Sequence, residues 1–193
     1  GVIHSELGWK KYAEGWYRRA IAAWPGYPKP YNNLGMLLLD RGRTGEALEL
    51  LQRGEALEPG YWVLLSTLAR AWRKAGEPEK FVATARRALA INPDIYNTRR
   101  TLADHFRRTG RREEAERHYR ILVERHPELA EGCNGMGLLE RDDRLAAHYW
   151  FRRAVEVEPG DFGARMNLAV TLIRLGDKQG ALPHMEKAVD LRP

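Results

Sequence analysis

The chain has 193 residues, of which 44% are hydrophobic and 30% are charged, so it has a globular composition rather than that of a disordered tail. It contains no apolar run long enough to span a membrane, and its single cysteine, Cys133, excludes an internal disulfide and a cysteine-based zinc site. The net charge of +6 permits an acidic partner without demanding nucleic acid.

Six prolines recur along the chain at a nearly constant distance. The intervals between them are 34, 34, 34, 32 and 34 residues, for Pro25, Pro59, Pro93, Pro127, Pro159 and Pro193. The residue twelve positions before each proline is small in all but one case: Ala13, Ala47, Phe81, Ala115, Ala147 and Ala181. Such fixed spacing predicts an internal repeat whose unit is a pair of helices.

In chain order, the sequence predicts a half repeat followed by five helix pairs. The half repeat covers 1–27, and the pairs cover 28–61, 62–95, 96–129, 130–161 and 162–193. A glycine ends the first helix of four pairs, where a left-handed residue can close a helix: Gly42, Gly76, Gly110 and Gly176. Pro78 suits the first turn of a second helix.

Some positions depart from the repeat. The pair over 130–161 lacks the turn glycine, which predicts a shorter first helix and a second helix capped by Asp142 or Asp143. Phe81 and Ala85 exchange the usual small and large positions, a change that cores tolerate. Pro183 is expected to weaken or kink the last helix.

The residues of one repeat carry a family signature. They are Tyr31, Leu34, Gly35, Gly42, Ala47 and Pro59, and with the 34-residue period they resemble the tetratricopeptide repeat family. The resemblance covers the whole chain and implies a single domain over 1–193. The implied fold class is all-α, a right-handed superhelical solenoid of antiparallel helix pairs. In such a fold each pair supplies the core wall that its neighbour lacks, and Gly35 lets two helices approach closely.

The sequence shows no motif for catalysis. Its six histidines do not form an HExxH pair and do not lie at metal-ligand spacing from Cys133. It has no phosphate-binding glycine loop and no serine nucleophile elbow. We therefore expect no catalytic residue, no metal, no cofactor and no enzymatic activity.

The resemblance implies that the first helix of each repeat lines a concave groove. Counting from the repeat starts gives these candidate binding residues: Asn32, Asn33, Arg70, Arg73, Lys74, Asn97, Arg100, Asp104, Arg107, Arg108, Asn134 and Asn167. Six of them are basic and Asp104 is the one acid, and a concave basic surface favours acidic ligands. The alternative is that these long side chains only solvate the helix ends near the turns.

These observations predict a protein–protein interaction scaffold that binds an acidic partner segment in its groove. The alternative is an accessory domain of a larger enzyme, because residues 8–35 resemble the entry into the repeats of membrane-embedded glycosyltransferases. RNA binding is disfavoured because the groove lacks aromatic residues. A family clamp for terminal carboxylates is not matched, and an asparagine ladder that holds peptide backbone elsewhere in the family is interrupted at Thr67, Thr101 and Gly135.

The last helix pair is expected to leave apolar side chains uncovered, namely Leu168, Leu172, Met185 and Val189. Such a patch predicts either self-association or a longer parent protein, in which a membrane anchor is conceivable. The sequence does not fix the compartment. The cytoplasm is favoured, and a periplasmic or membrane-attached location stays open.

Overall fold

The computed structural model describes the backbone of residues 2–191 and the side chains of residues 12–191. These residues form eleven helices and no strand, which confirms the predicted all-α class. The helices are α1 (Val2–Ala23), α2 (Pro28–Asp40), α3 (Thr44–Leu57), α4 (Trp62–Lys74), α5 (Pro78–Ile91), α6 (Tyr96–Arg108), α7 (Arg112–Arg125), α8 (Ala130–Leu139), α9 (Arg144–Val157), α10 (Phe162–Leu175) and α11 (Lys178–Asp190).

The chain divides into two compact units, Gly1–Thr98 and Arg99–Pro193. The first unit contains α1 to α5 and the start of α6, and the second contains the rest of α6 and α7 to α11. Across residues 2–191, none of these helices combines the length and the apolar character that a membrane span needs.

Four of the turns within helix pairs have the same geometry. Gly42, Gly76, Gly110 and Gly176 all have a positive φ, between 74° and 94°, as the sequence predicts. The residue after each glycine donates its backbone N–H to the carbonyl five residues earlier, as Arg43 does to Leu38 at 2.9 Å. This hydrogen bond satisfies a carbonyl that the helix end would otherwise leave unpaired.

The connection between α8 and α9 uses a different solution. α8 has 10 residues, whereas the other first helices have 13 or 14, so the predicted shortening is confirmed. Asp143 caps α9, because its carboxylate accepts from the backbone N–H groups of Leu145 (3.1 Å) and Ala146 (3.0 Å). An aspartate cap at the start of α9 therefore takes the place of a glycine at the end of α8.

In the first unit, α2 packs against both α3 and α4, and α4 packs against α5. Its interior includes Tyr31, Leu34, Leu38, Leu39, Ala47, Leu51, Leu64, Leu68 and Ala71. Phe81 and Ala85 are both buried, as their predicted exchange of volume requires.

The N-terminal helix α1 is joined to this unit by packing and by charge. Tyr17 and Ile21 of α1 pack against the core of the unit. Glu14 accepts hydrogen bonds from Arg43, at 3.0 Å, and from Arg18, at 2.9 Å. These bonds, the one from Arg18 above all, lower the pKa of the Glu14 carboxyl. The carboxylate thus fixes the end of the α2–α3 turn to α1.

In the second unit, α10 packs between α9 and α11. Leu168 and Leu172 are buried in this interior, together with Phe151 and Ala181. The expectation that these two leucines are uncovered is therefore wrong, because α9 and α11 enclose them. Met185 and Val189 of α11 are exposed, at 38% and 70% of their surface, as predicted. α11 also continues past Pro183 to Asp190.

The contact between α2 and α3 yields a stability prediction. A Cβ atom on Gly35 of α2 would lie 2.7 Å from Cγ of Leu51 on α3, too close for an ordinary contact. Gly35→Ala should therefore lower the free energy of unfolding by about 1–3 kcal/mol, although alanine is the better helix former. The measurement is a urea titration monitored by circular dichroism.

The matched control is Gly45→Ala in α3, where a new Cβ would meet no atom within 4 Å. That substitution should change the free energy by no more than about 0.5 kcal/mol, or raise it. Equal losses for the two variants would show that the close contact between α2 and α3 is absent.

Candidate functional site

The first helices of the repeats, α2, α4, α6, α8 and α10, carry all twelve candidate binding residues. The exposed ones are Asn33, Arg73, Lys74, Asn97 and Arg108, and the half-buried ones are Arg70, Arg100, Asp104, Arg107, Asn134 and Asn167. Asn32 is buried, with only 3% of its surface exposed. Eleven of the twelve side chains therefore offer surface to a ligand.

Polar side chains connect neighbouring first helices inside each unit. In the first unit, the hydroxyl of Thr67 on α4 donates to Oδ1 of Asn32 on α2 at 2.8 Å. In the second unit, Nδ2 of Asn167 on α10 donates to Oδ1 of Asn134 on α8 at 2.9 Å. These residues thus have a packing role between repeats, and Asn32, being buried, has no other surface to offer.

Two basic side chains hold the ends of neighbouring first helices. Nζ of Lys74 on α4 donates to the carbonyl of Leu39 on α2 at 2.9 Å. Arg174, at the corresponding position of α10, donates to the carbonyl of Arg141, just beyond α8, at 3.0 Å. A cation at this place satisfies a terminal carbonyl and interacts favourably with the helix dipole. For Lys74, this contact supports the alternative in which the basic side chain interacts with a helix end and not with a ligand.

The other two basic side chains of α4, those of Arg70 and Arg73, make fewer contacts within the protein. Arg70 lies 3.6 Å from Asp40 of α2, and its Nη2 atom is buried without a hydrogen-bond partner. Arg73 is exposed, and within residues 12–191 its side chain has no hydrogen bond or ion pair. The surface of α4 therefore keeps a positive charge that an acidic ligand can use.

In the second unit, a cluster of basic residues on α6 surrounds one acid. Asp104 accepts a hydrogen bond from the hydroxyl of Tyr119 on α7 at 2.6 Å, and Nη1 of Arg100 lies 3.9 Å from its other oxygen. Nε of Arg107 donates to the hydroxyl oxygen of Tyr119 at 3.4 Å. Nε of Arg108 donates to the backbone carbonyl of Asp104 at 3.3 Å. We call these five residues the α6 cluster.

The tyrosine of this cluster remains protonated. Burial, and then the hydrogen bond to Asp104, raise the pKa of Tyr119 well above its usual range. His105, the neighbour of Asp104, adds no charge at neutral pH, because burial and the nearby Arg108 and Arg111 lower its pKa. The α6 cluster thus contains three guanidinium groups and a single carboxylate, and it has a net positive charge.

Sequence reasoning did not include Tyr119 among the binding residues, because it lies on a second helix. One signal pointed to it. The asparagine ladder is interrupted by Gly135, and in the structure a Cβ at that position would lie 2.2 Å from the ring of Tyr119. The glycine at position 135 of α8 thus indicated that a large side chain from another helix packs against it.

No group of three or more histidine, cysteine or acidic side chains could hold a metal ion in the part of the chain that the structure describes. Cys133 is buried, which raises the pKa of its thiol. Neither observation adds reactive chemistry to the first helices, whose chemistry is hydrogen bonding and charge.

Comparison with known proteins agrees with this arrangement. Three family models, all of tetratricopeptide repeats, match residues 38–96, 97–120 and 134–193. The chain belongs to the tetratricopeptide repeat family. Among curated proteins, it is 26% identical over 150 residues to anaphase-promoting complex subunit 3 of Schizosaccharomyces pombe. That match includes 77% of this chain but only 23% of the relative.

Solved structures of other tetratricopeptide repeat proteins share the fold. One from Parabacteroides merdae has a TM-score of 0.79 at 18% identity, and the match covers 98% of this chain and 76% of that one. YrrB, described as having an unusual peptide-binding site, has a TM-score of 0.72 at 18% identity, with 92% of each chain covered. At such identities the likeness establishes the fold alone.

The different roles of Arg73 and Lys74, two neighbouring basic residues at the C-terminal end of α4, can be separated by experiment. Lys74→Met keeps the apolar stem but removes the hydrogen bond to the end of α2, so it should lower the free energy of unfolding by about 0.5–1.5 kcal/mol. Arg73→Met, at the neighbouring exposed position, should change it by no more than about 0.5 kcal/mol. Denaturant titrations of both variants provide the test, and a loss that is equal in the two would contradict the role of Lys74.

Proposed function

We propose that this tetratricopeptide repeat protein is a non-catalytic scaffold whose first helices bind an extended, acidic segment of a partner protein. The observation that supports the proposal most is the α6 cluster, which combines three arginines with a single acid that is already bound to Tyr119. Arginine binds carboxylates through two parallel N–H groups, which gives it both strength and geometry for this role.

The first unit supports the same ligand independently. α4 presents Arg70 and Arg73, and Asn33 of α2 lies on the exposed side of its helix. The amide of Asn33 already accepts from Asn32 at 3.3 Å, which leaves its own N–H groups to bind a peptide carbonyl. The first unit thus combines cations for side-chain carboxylates with an amide group for the backbone of an extended segment.

Two arginines on second helices, Arg87 of α5 and Arg152 of α9, differ from these arginines because each lies beside an acid. Arg87 lies within hydrogen-bond distance of Glu55, and Arg152 pairs with Glu156 at 3.2 Å. A cation already paired with a neighbouring acid contributes little net field. The proposal therefore assigns the acidic ligand to the first helices and not to the second.

A binding assay can test this assignment. The probe is a short fluorescent peptide of alternating Glu and Ser residues, and its affinity is measured by fluorescence anisotropy. Arg73→Glu and Arg108→Glu should each weaken binding by about tenfold, and binding by the unaltered protein should weaken as salt rises from about 0.05 to about 0.5 M. A peptide with Gln in place of Glu should bind poorly.

The control is Arg152→Glu on α9, which changes the net charge by the same amount on a second helix. It should leave the affinity within about twofold of the original, since screening weakens exposed charges that are distant from the ligand. Equal weakening by all three variants would show that net charge, and not the first helices, determines binding.

Self-association is the second partner hypothesis that we propose. Leu182, Met185 and Val189 follow one another on the exposed side of α11, where 55%, 38% and 70% of their surfaces are accessible. An apolar row of this kind favours contact with another copy of the chain. The mass from light scattering should therefore rise with concentration, and Val189→Glu should abolish the rise. A constant monomer mass would refute the hypothesis.

A further inference from the structure

Tyr119 belongs to the second helix α7, yet its hydroxyl reaches Asp104 of α6. Its side chain is 1% exposed, and its ring passes the backbone of Gly135 on α8. A Cβ at residue 135 would lie between 2.2 and 2.6 Å from three atoms of that ring. The ring can therefore occupy this place only because residue 135 is glycine, and its hydroxyl emerges beside Asp104.

The hydroxyl determines which groups Asp104 can neutralise. Oδ1 of Asp104 accepts from Tyr119 at 2.6 Å, a short bond to a charged acceptor, while Arg107 directs its Nε–H to the tyrosine oxygen and not to the carboxylate. Among the described residues, the two terminal nitrogens of Arg107 have no hydrogen-bond partner, and Nη1 of Arg100 lies 3.9 Å from Asp104, beyond hydrogen-bond distance. Both guanidinium groups thus keep donors for another acceptor.

Helix geometry shows what the hydroxyl prevents. Asp104 lies three residues before Arg107 and four before Arg108, distances at which side chains on a helix meet and form ion pairs. Without a bond to Tyr119, the freed oxygen of Asp104 would be available to pair with Arg107, whose Nε lies 3.4 Å from the same tyrosine hydroxyl. The acid would then cancel one of the charges on which an acidic ligand depends.

We propose that Tyr119 is a positioning residue for ligand binding: it holds Asp104 away from Arg107, so that Arg100 and Arg107 together receive a carboxylate side chain of the partner segment. This inference rests on the proposed function and assigns its most specific contact. The ligand group is a Glu or Asp carboxylate, because two guanidinium groups on one helix face match its two oxygens.

A purely structural role for Tyr119 would have different consequences. In that case the loss of its hydroxyl would loosen the helices, and the charge of Asp104 would be irrelevant to the loss. In a positioning role, the damage arises from the freed carboxylate. Removing the charge with Asp104→Asn should then repair the defect, which makes a double-mutant cycle decisive.

The experiment measures the affinity of the full chain for the fluorescent Glu–Ser peptide. Tyr119→Phe, which keeps the ring, should weaken binding by about fivefold or more. Asp104→Asn should strengthen binding by about twofold in the original protein but by about tenfold in the Tyr119→Phe background. The double variant should bind as tightly as the original protein or more tightly.

The matched control is Tyr31→Phe. Tyr31 is 2% exposed and donates its hydroxyl to the carbonyl of Pro25 at 2.9 Å, so this variant also loses a buried tyrosine hydrogen bond. It should bind the peptide with the original affinity. Thermal melts of all variants, followed by circular dichroism, establish that each is folded at the assay temperature.

Unchanged affinity in Tyr119→Phe would overturn the inference, and so would an equal gain from Asp104→Asn in both backgrounds. These outcomes would leave the proposed function intact, because the original protein would still bind the peptide. Failure of the original protein to bind would overturn both. If Tyr119→Phe does not fold, Arg107→Gln and Arg108→Gln decide, since equal losses from the two would contradict a special role of Arg107.

Discussion

A second helix in this protein packs on the first helix of its own repeat and on the first helix of the next one, as α3 does on α2 and α4 and as α9 does on α8 and α10. At one register of these helices, Leu51 of α3 and Phe151 of α9 are buried, whereas Met185 of α11 is 38% exposed. Stability therefore depends on contacts between neighbouring repeats, and repetition along the chain follows from this requirement.

The same packing decides which polar residues can meet a ligand. Polar side chains between adjacent first helices form hydrogen bonds with each other, as in the pairs Thr67–Asn32 and Asn167–Asn134. Side chains at the C-terminal ends of these helices hold neighbouring carbonyls, as Lys74 does. Arg73 and Arg107, each next to the last residue of its helix, make no such contact with a neighbouring first helix among the described residues. We propose that side chains of this kind are the ones available for recognition.

The fold could be predicted from the sequence because its determinants are local and repeated. The glycine turns and the Asp143 cap depend on residues that are close together in the chain, and both predictions are confirmed. The predicted exposure of Leu168 and Leu172 failed because it considered only the missing neighbour beyond α11 and not the burial already provided by α9. The burial of a side chain on α10 depends on the helices that pack on both of its sides.

The α6 cluster could be predicted only in part, since its members come from separate helices. The arginines and Asp104 follow from counting along one helix, but Tyr119 and Gly135 lie on two others. Their relation depends on how a ring from α7 passes α8, and no periodicity encodes that path. Lys74 shows a similar limit. Its position along α4 predicted a ligand-binding residue, but in the structure its side chain donates to the backbone carbonyl of Leu39 on α2.

The central claim is that charge on the first helices, and not net charge, selects an acidic segment. Side-chain NMR of the arginine Nε–H groups, recorded while the Glu–Ser peptide is added, tests it most directly. We expect the signals of Arg73, Arg100 and Arg107 to shift as the peptide is added, those of Arg100 and Arg107 with one saturation curve, while those of Arg120 and Arg152 on second helices stay in place. Shifts of the same size on both sets, or on the second helices alone, would contradict it.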